Sequence, residues 1–265
     1  MKTKQIFAFI ALASPLFGQN GTFDDLTVNG VLEAKSDLTL DGVFRAGGSI
    51  RLTHSPFVDA TGGSVVAGGY IGAHSNSLAF GAFSSADSTS LAFGMYNTAN
   101  ANSLAFGHSL QATGGYSIAV GSNSKALGSP SAVFGSHSEA AGDASFASGS
   151  NNLADGHHSF VTGIFNEALY DASAAAGSNS QALAETSFAF GRNLIVRSRD
   201  AFAVGFNNDP GGTTENSNAQ DRPVFMVGTG SGTAAHLRSN AFEVRANGDV
   251  IIAKPQGDIP MGVFE

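Results

Sequence analysis

The sequence predicts an all-β chain wound as a narrow parallel β-solenoid. Three observations carry this: a glycine that returns every 13 or 14 residues, a composition hostile to helices, and a strand pattern that is non-polar on both faces. Gly68, Gly81, Gly94, Gly107, Gly121, Gly135, Gly149, Gly163, Gly177, Gly191 and Gly205 are separated by three intervals of 13 and then by intervals of 14. Eleven registers of one period mark a stacked repeat. Four residues before each Gly stands Ser in ten of eleven cases, with Ala201 the exception; two before it stands Ala in eight and Val in three. The unit is Ser-x-Ala-x-Gly. A second small residue recurs five places after the Gly, from Ala73 to Ala182, until Val196 breaks the row. The extra residue of the longer units falls between that Ala and the next Ser, where an insertion belongs to a turn.

A unit of this length holds two strands of about five residues and two turns, which is one coil of a solenoid. Gly in every unit, beside β-branched and aromatic residues and without apolar spacing of three and four, opposes helix. Ten intervals at ~4.8 Å per stacked strand predict a rod of roughly 48 Å.

Composition narrows the function. The chain has 265 residues, 34 Gly, no Cys, 13% charged residues and a net charge of −8. Without a basic stripe it cannot track a phosphate backbone, so no nucleic-acid partner is expected. The absence of Cys excludes disulfides, thiolate metal sites and a Cys nucleophile. A hydrophobic share of 42% with 21 Phe argues against disorder.

Side chains alternate faces along a strand, so Ser, Ala and Gly of the unit share one face. The intervening positions carry large apolar residues, among them Leu78, Phe80, Leu91, Phe93, Phe160 and Phe190, in sixteen of 22 places. Strands non-polar on both faces need cover on both. The second strand of the coil, with Ser122-Asn-Ser-Lys125, Ser136-His-Ser-Glu139 and Ser178-Asn-Ser-Gln181, is polar and suits water. One face of the first strand should therefore meet other chains. At ~1.5–3 kcal/mol per large apolar side chain, the set represents roughly 30 kcal/mol as an upper bound. An obligate homo-oligomer is the expectation; which face points into the coil stays open.

The repeats Asn76-Ser-Leu-Ala-Phe-Gly81, Asn102-Ser-Leu-Ala-Phe-Gly107, Tyr116-Ser-Ile-Ala-Val-Gly121 and Thr186-Ser-Phe-Ala-Phe-Gly191 resemble the head repeats of YadA-like trimeric autotransporter adhesins over residues 64–205. The resemblance implies a left-handed parallel β-roll assembled as a parallel homotrimer; handedness and the number three come from it alone. It also implies adhesion to collagen or matrix, linked in that family to Asn-Ser-x-Ala-x-Gly units, of which two keep the Asn here. The family's coiled-coil stalk and membrane barrel have no counterpart in the sequence, since neither heptads nor a terminal run of alternating strands occur. The expectation is a head without that anchor.

Flanking segments complete the organisation. Residues 1–18 read as a signal peptide, with Lys2 and Lys4 before the apolar run Ile6 to Phe17, and cleavage follows Ala13 or Gly18. The run is too short to cross a bilayer, so no transmembrane segment is expected in the mature chain. Residues 19–63 form a short β-repeat module of period twelve, seen in Leu26-Thr-Val-Asn-Gly-Val-Leu32, Leu38-Thr-Leu-Asp-Gly-Val-Phe44 and Ile50-Arg-Leu52. After the roll, 206–222 read as a linker and 223–265 as a β cap or attachment module with a hairpin at Asn247-Gly248. Pro223, Phe225, Val227, Gly228, Arg238, Ser239, Asn240, Ala241, Val244, Asn247, Gly248 and Val250 resemble a tail found in bacterial surface and phage-fibre-like proteins.

Catalytic patterns are weak. No Gly-x-Ser-x-Gly elbow occurs in a strand-to-helix context, and the seven His fall at different repeat positions, which suits surface residues rather than a metal column. Gly228-Thr-Gly-Ser-Gly232 lacks the Lys and helix of a phosphate loop. The roll carries eight acids and four bases at unrelated positions. No enzyme activity, catalytic residue, metal or cofactor is expected. One candidate binding feature stands out: two places after the Gly, consecutive coils carry Tyr70, Phe83 and Tyr96, followed by Ser109, Asn123 and His137. Facing outward, the three rings would form a ladder for a sugar chain or an apolar polymer; facing inward, they would pack under a turn or between subunits.

The leading expectation is an exported fibrous protein, secreted or at the bacterial cell surface, whose trimeric β-roll mediates adhesion to a surface, matrix or glycan. Its partners are then itself and extracellular matrix, glycan or other fibre proteins. A structural appendage segment without a ligand is the alternative, and a tailspike-like polysaccharide-degrading enzyme, betrayed by clustered carboxylates, is the third reading.

Overall fold

The computed structural model describes residues 4–6, 26–28, 50–53, 58–61, 64–210 and 218–252, in two units that divide between Arg45 and Ala46. In the first, Lys4–Ile6 pairs in parallel with Leu26–Val28. The rest of the expected leader over 1–18, most of the 19–63 module and the tail beyond Ile252 lie outside the described residues.

In the second unit, eleven five-residue strands from Val65–Gly69 to Phe202–Phe206 stack in parallel into one sheet. Short strands from Ile71–Ala73 to Ile195–Val196 stack into another. Like sits over like: Ala79 pairs with Ala92, Phe80 with Phe93 and Gly81 with Gly94. The register survives the change to longer coils, with Gly107 opposite Gly121 and Gly149 opposite Gly163. The result is a parallel β-solenoid of about ten turns, 13 or 14 residues apart.

The two strands of a coil are unequal rather than both about five residues long. Two places after each repeat Gly the backbone enters the left-handed region, at Tyr70 (φ 54°), Asn123 (φ 51°) and Asn207 (φ 48°) for example. The long strand stops there, and the two-residue strand of most coils starts two residues on, as at Ser85–Ala86. The bend also shifts the phase of the ladder: Phe83 N–H donates back to Gly69 O at 3.1 Å, whereas Ser85 N–H, two residues on, donates to Asn97 O of the next coil at 2.8 Å.

The bend decides what points inward. Ala79, Ala92 and Ala105 of the long strands are fully buried, and so are Ala86, Ala99 and Ala112 opposite them. Of the segments read as wholly water-facing, one residue in each turns in: Ser124, Ser138 and Ser180 are buried, because positions three and five after the Gly share the inner side beyond the left-handed residue. Coils lie close enough that the glycine column has no room for a side chain. A Cβ on Gly135 (φ +142°) would sit 1.9 Å from Gly149 O. Across so narrow an interior, Ala and Ser fill the space and Phe does not fit.

Buried polar side chains close their own ladders. Three places after the Gly, Asn97 Oδ1 accepts from Leu110 N at 3.0 Å, Asn152 Oδ1 from Asn166 N at 3.0 Å, and Asn166 Oδ1 from Ser180 N at 2.9 Å. The Asn166 amide also donates to Thr162 O and Gly177 O, both at 2.9 Å. Serine does the same with less, Ser138 Oγ accepting from Asn152 N at 3.2 Å. At the start of the unit, coil length matters. In 13-residue coils, which turn through left-handed pairs such as Ser88-Thr89, Ser77 Oγ accepts from Ser90 N at 3.0 Å. In 14-residue coils Ser145 N–H instead bonds Gly142 O in its own turn, and the hydroxyls of Ser131, Ser145 and Ser159 stay buried without a partner.

The carboxy-terminal end is closed. Pro223–Thr229 adds one more parallel strand, then Asn240–Arg245 and Val250–Ile252 continue the sheet antiparallel, turning at 246–249 with Gly248 at φ +97°. The last short strand receives a side chain in place of a coil: Ile195 N donates to Asn208 Oδ1 at 2.7 Å and Asn208 Nδ2 returns a bond to Ile195 O at 2.8 Å. Arg238 Nη1 donates to Asn193 O at 2.6 Å, and Asn240 exchanges two hydrogen bonds with the Asp209 backbone. Burial first, then the charge of Arg197, lowers the Arg238 pKa, partly offset by Asp209; a hydrogen bond to Glu243 raises that of Arg245. Both stay charged near neutral pH.

Two substitutions test this architecture by thermal unfolding. Gly135→Ala is expected to destabilise by ~3 kcal/mol or more, since a positive φ and an overlap with fixed backbone add; a melting temperature within a degree of the parent would contradict the glycine column. Asn166→Ala should cost ~2–3 kcal/mol by stranding buried partners, whereas Asn166→Ser, the residue used at this place in neighbouring coils, should cost clearly less.

Candidate functional site

Because the small residues fill the interior, every large residue between them leaves on the opposite face. None of the sixteen large apolar positions of the long strands is buried, and Phe106 is 56% exposed. Their rings stack from coil to coil: Phe80 and Phe93 lie 5.1 Å apart at 5°, Phe146 and Phe160 5.2 Å apart at 7°. With ~150–250 Å² for each aromatic side chain, these half-exposed groups leave roughly 1,000 Å² of apolar surface open. Monomeric proteins rarely carry a contiguous patch above ~300–600 Å².

A second surface runs along the bend. Tyr70, Phe83 and Tyr96, the candidate binding residues, are brought together as an outward ladder, 51%, 46% and 51% exposed. Ring centroids are 5.0 Å apart at 11° for Tyr70 and Phe83, and 4.9 Å at 9° for Phe83 and Tyr96. His108 extends the ladder, its ring edge-on to Tyr96 at 5.8 Å. The ladder is one coil wide and rises with the stack.

Holding these rings is costly. All three stand at positive φ (54°, 53° and 59°), where a bulky side chain is a genuine outlier. Five other coils place Asn there, namely Asn123, Asn151, Asn179, Asn193 and Asn207, and Asn tolerates the left-handed region. At ~1–2 kcal/mol per residue, three strained positions cost ~3–6 kcal/mol, and the two stacked pairs with the Tyr96–His108 edge contact return ~1.5–4.5 kcal/mol.

The surroundings suit a ligand. An open groove beside the ladder is lined by Tyr70, Ile71, Gly72, Phe83, Ser84 and Ser85. Its floor exists because the position four after the Gly is small over these coils, Gly72, Ser85 and Thr98, before Gln111, Lys125 and Glu139 take it over. Between Thr61 and Ser124 the only Asp, Glu, Lys or Arg is Asp87. Sequence reasoning found the three rings but missed the small row beside them and the left-handed backbone beneath them; the recurring Asn was the available signal for the latter.

Other chemistry is sparse. Among the described residues no three His, Asp or Glu side chains converge to hold a metal ion. His157 Nδ1 and Asp143 Oδ2 are 3.8 Å apart on exposed turns, a loose surface pair. No helix among the described residues is long and apolar enough to cross a membrane. No protein-family model matches the chain, and no curated protein matches it.

Proposed function

We propose that the protein is an exported, non-enzymatic fibrous protein whose β-roll associates as a parallel homotrimer and presents a surface for adhesion to a matrix, a glycan or another surface. The observation that carries this reading is the open apolar face of the long strands. Its roughly 1,000 Å² exceeds the ~800 Å² per partner of a standard stable interface. At ~25 cal/mol per Å² its burial is worth about 25 kcal/mol per chain before the costs of association. None of the 22 alternating positions carries a charge, and Arg192, at the edge of the same face, lies 5.7 Å over the Phe206 ring. Three copies, the left-handed winding and the adhesive role rest on the resemblance of residues 64–205 to YadA-like heads, and export rests on the leader pattern of residues 1–18.

Light scattering on the purified mature chain is expected to give the mass of three chains. Phe106→Asp with Phe134→Asp, in the middle of the face, should shift that mass towards one chain or drive the protein out of solution. A monodisperse, soluble single chain for the parent would overturn the reading. Binding to immobilised matrix proteins and polysaccharides tests adhesion separately; an assembled trimer that binds none of them would leave a purely structural fibre segment.

A further inference from the structure

We propose that the cleft between Arg197 and Arg238, beside the carboxy-terminal cap, binds the carboxylate of an acidic sugar unit such as a uronate. The inference deepens the adhesive reading above by naming a ligand class, and it does not depend on the number of chains in the assembly.

The first observation is uncompensated positive charge. Six arginines crowd the last coils and the cap, and four of them have partners. Arg199 pairs with Glu185, Arg222 with Asp200 at 3.8 Å and Arg245 with Glu243 at 2.7 Å, while Arg192 lies 5.7 Å over the Phe206 ring. Arg197 makes neither a hydrogen bond nor an ion pair among the described residues. Arg238 is held by carbonyls alone: Nε donates to Thr233 O at 3.0 Å, and Nη1 to Asn193 O at 2.6 Å and Asn208 O at 3.2 Å. Its Nη2 donates to nothing among the described residues, so two N–H groups remain on a guanidinium that is already fixed in place. Burial first, then the charge of Arg197, lowers the Arg238 pKa. The two cations oppose each other, and an anion bound between them stabilises both.

The second observation is shape. The cleft holds about 300 Å³, the lower end of the range for small-ligand sites. Ile195 and Pro210 give it an apolar wall and Thr233 a hydroxyl that can donate and accept. A bare inorganic anion leaves that wall wet, whereas a sugar ring covers it with C–H faces. Leu194 and Val196 are buried inside the coil, so Ile195 and Arg197 point outward from the short strand, away from the apolar face of the long strands. Association through that face leaves the cleft open.

The third is the charge balance. Asp209 also lines the cleft, without an ion pair to either arginine among the described residues. Two cations and one carboxylate leave a single net positive charge, which suits a singly charged carboxylate and disfavours a phosphate dianion. Glutamate side chains of an acidic peptide would bring the charge but no ring for the apolar wall.

Arg197 can be changed without touching the hydrogen bonds of the cap. Register places it one rung above Leu183, which is buried, so Arg197→Met removes the charge and keeps an unbranched stem over that neighbour. Calorimetry and ligand-observed NMR on the full chain compare glucuronate and galacturonate with glucose, acetate, inorganic phosphate and poly-glutamate. The parent should bind a uronate more tightly than any of the other four. Arg197→Met should bind that uronate about tenfold more weakly, with the melting temperature and the mass of the parent. A parent that binds neither uronate, or that prefers glucose, acetate, phosphate or poly-glutamate, overturns the proposal. So does an Arg197→Met variant that binds as well as the parent, or one that melts lower or changes mass, because Arg197 would then be a packing or interface residue. Adhesion to matrix protein without uronate binding sinks this site alone; uronate binding by a protein that adheres to no immobilised matrix or glycan sinks the adhesive reading and leaves the site standing.

Discussion

Spacing between coils is the constraint on which the rest of the molecule depends. A parallel ladder sets each coil ~4.8 Å above the last, and backbone packs on backbone at the glycine column. Within each coil the narrow gap between the long and short strands takes in Ala79 or Ser124 but leaves Phe80 outside. Such an interior gains little from burial, since a methyl group removes only ~0.8 kcal/mol worth of apolar surface from water. Cohesion then falls to two sources: continuous backbone hydrogen bonding, and the apolar groups that could not be taken inside.

Buried polar residues in this fold are structural parts rather than anomalies. Asn97, Asn152 and Asn166 each meet backbone of their own coil and of the next, which ties a corner that a bare turn would leave unsatisfied. Asn208 performs the same service where no further short strand follows among the described residues, and so blunts an edge that would otherwise recruit another chain. The change from 13 to 14 residues is absorbed in the opposite turn, where it diverts the Ser145 and Ser159 amides to local carbonyls and leaves nearby hydroxyls unpaired.

Much of this was legible in the residues because the period is strict. The Gly spacing located the coils, the Ser-x-Ala-x-Gly unit located the long strands, and the Asn247-Gly248 pair located the final hairpin. Parity was not legible: a Ser/Ala face and a Phe/Leu face both look non-polar, and only the gap across a coil, between its long and short strands, decides which one fits inside. The short strands were misjudged for a related reason. Ser122-Asn-Ser-Lys125 reads as polar throughout and suited to water, whereas the left-handed residue Asn123 turns Ser124 inward. Tyr70, Phe83 and Tyr96 were visible as an aromatic column, yet their meaning depends on that same backbone kink, which propensities for Tyr and Phe would never suggest.

The kink has an evolutionary corollary. A side chain two places after the Gly points away from the interior and meets chiefly its counterparts one coil above and below, as the Tyr70, Phe83 and Tyr96 rings do. Its identity is thereby uncoupled from the core: Asn, Ser, His and Phe all stand there without altering the register of the coils. A lineage carrying this scaffold can rewrite the surface it presents by single replacements, one rung at a time, and lengthen or shorten that surface by duplicating or losing whole rungs, while the folding problem stays solved.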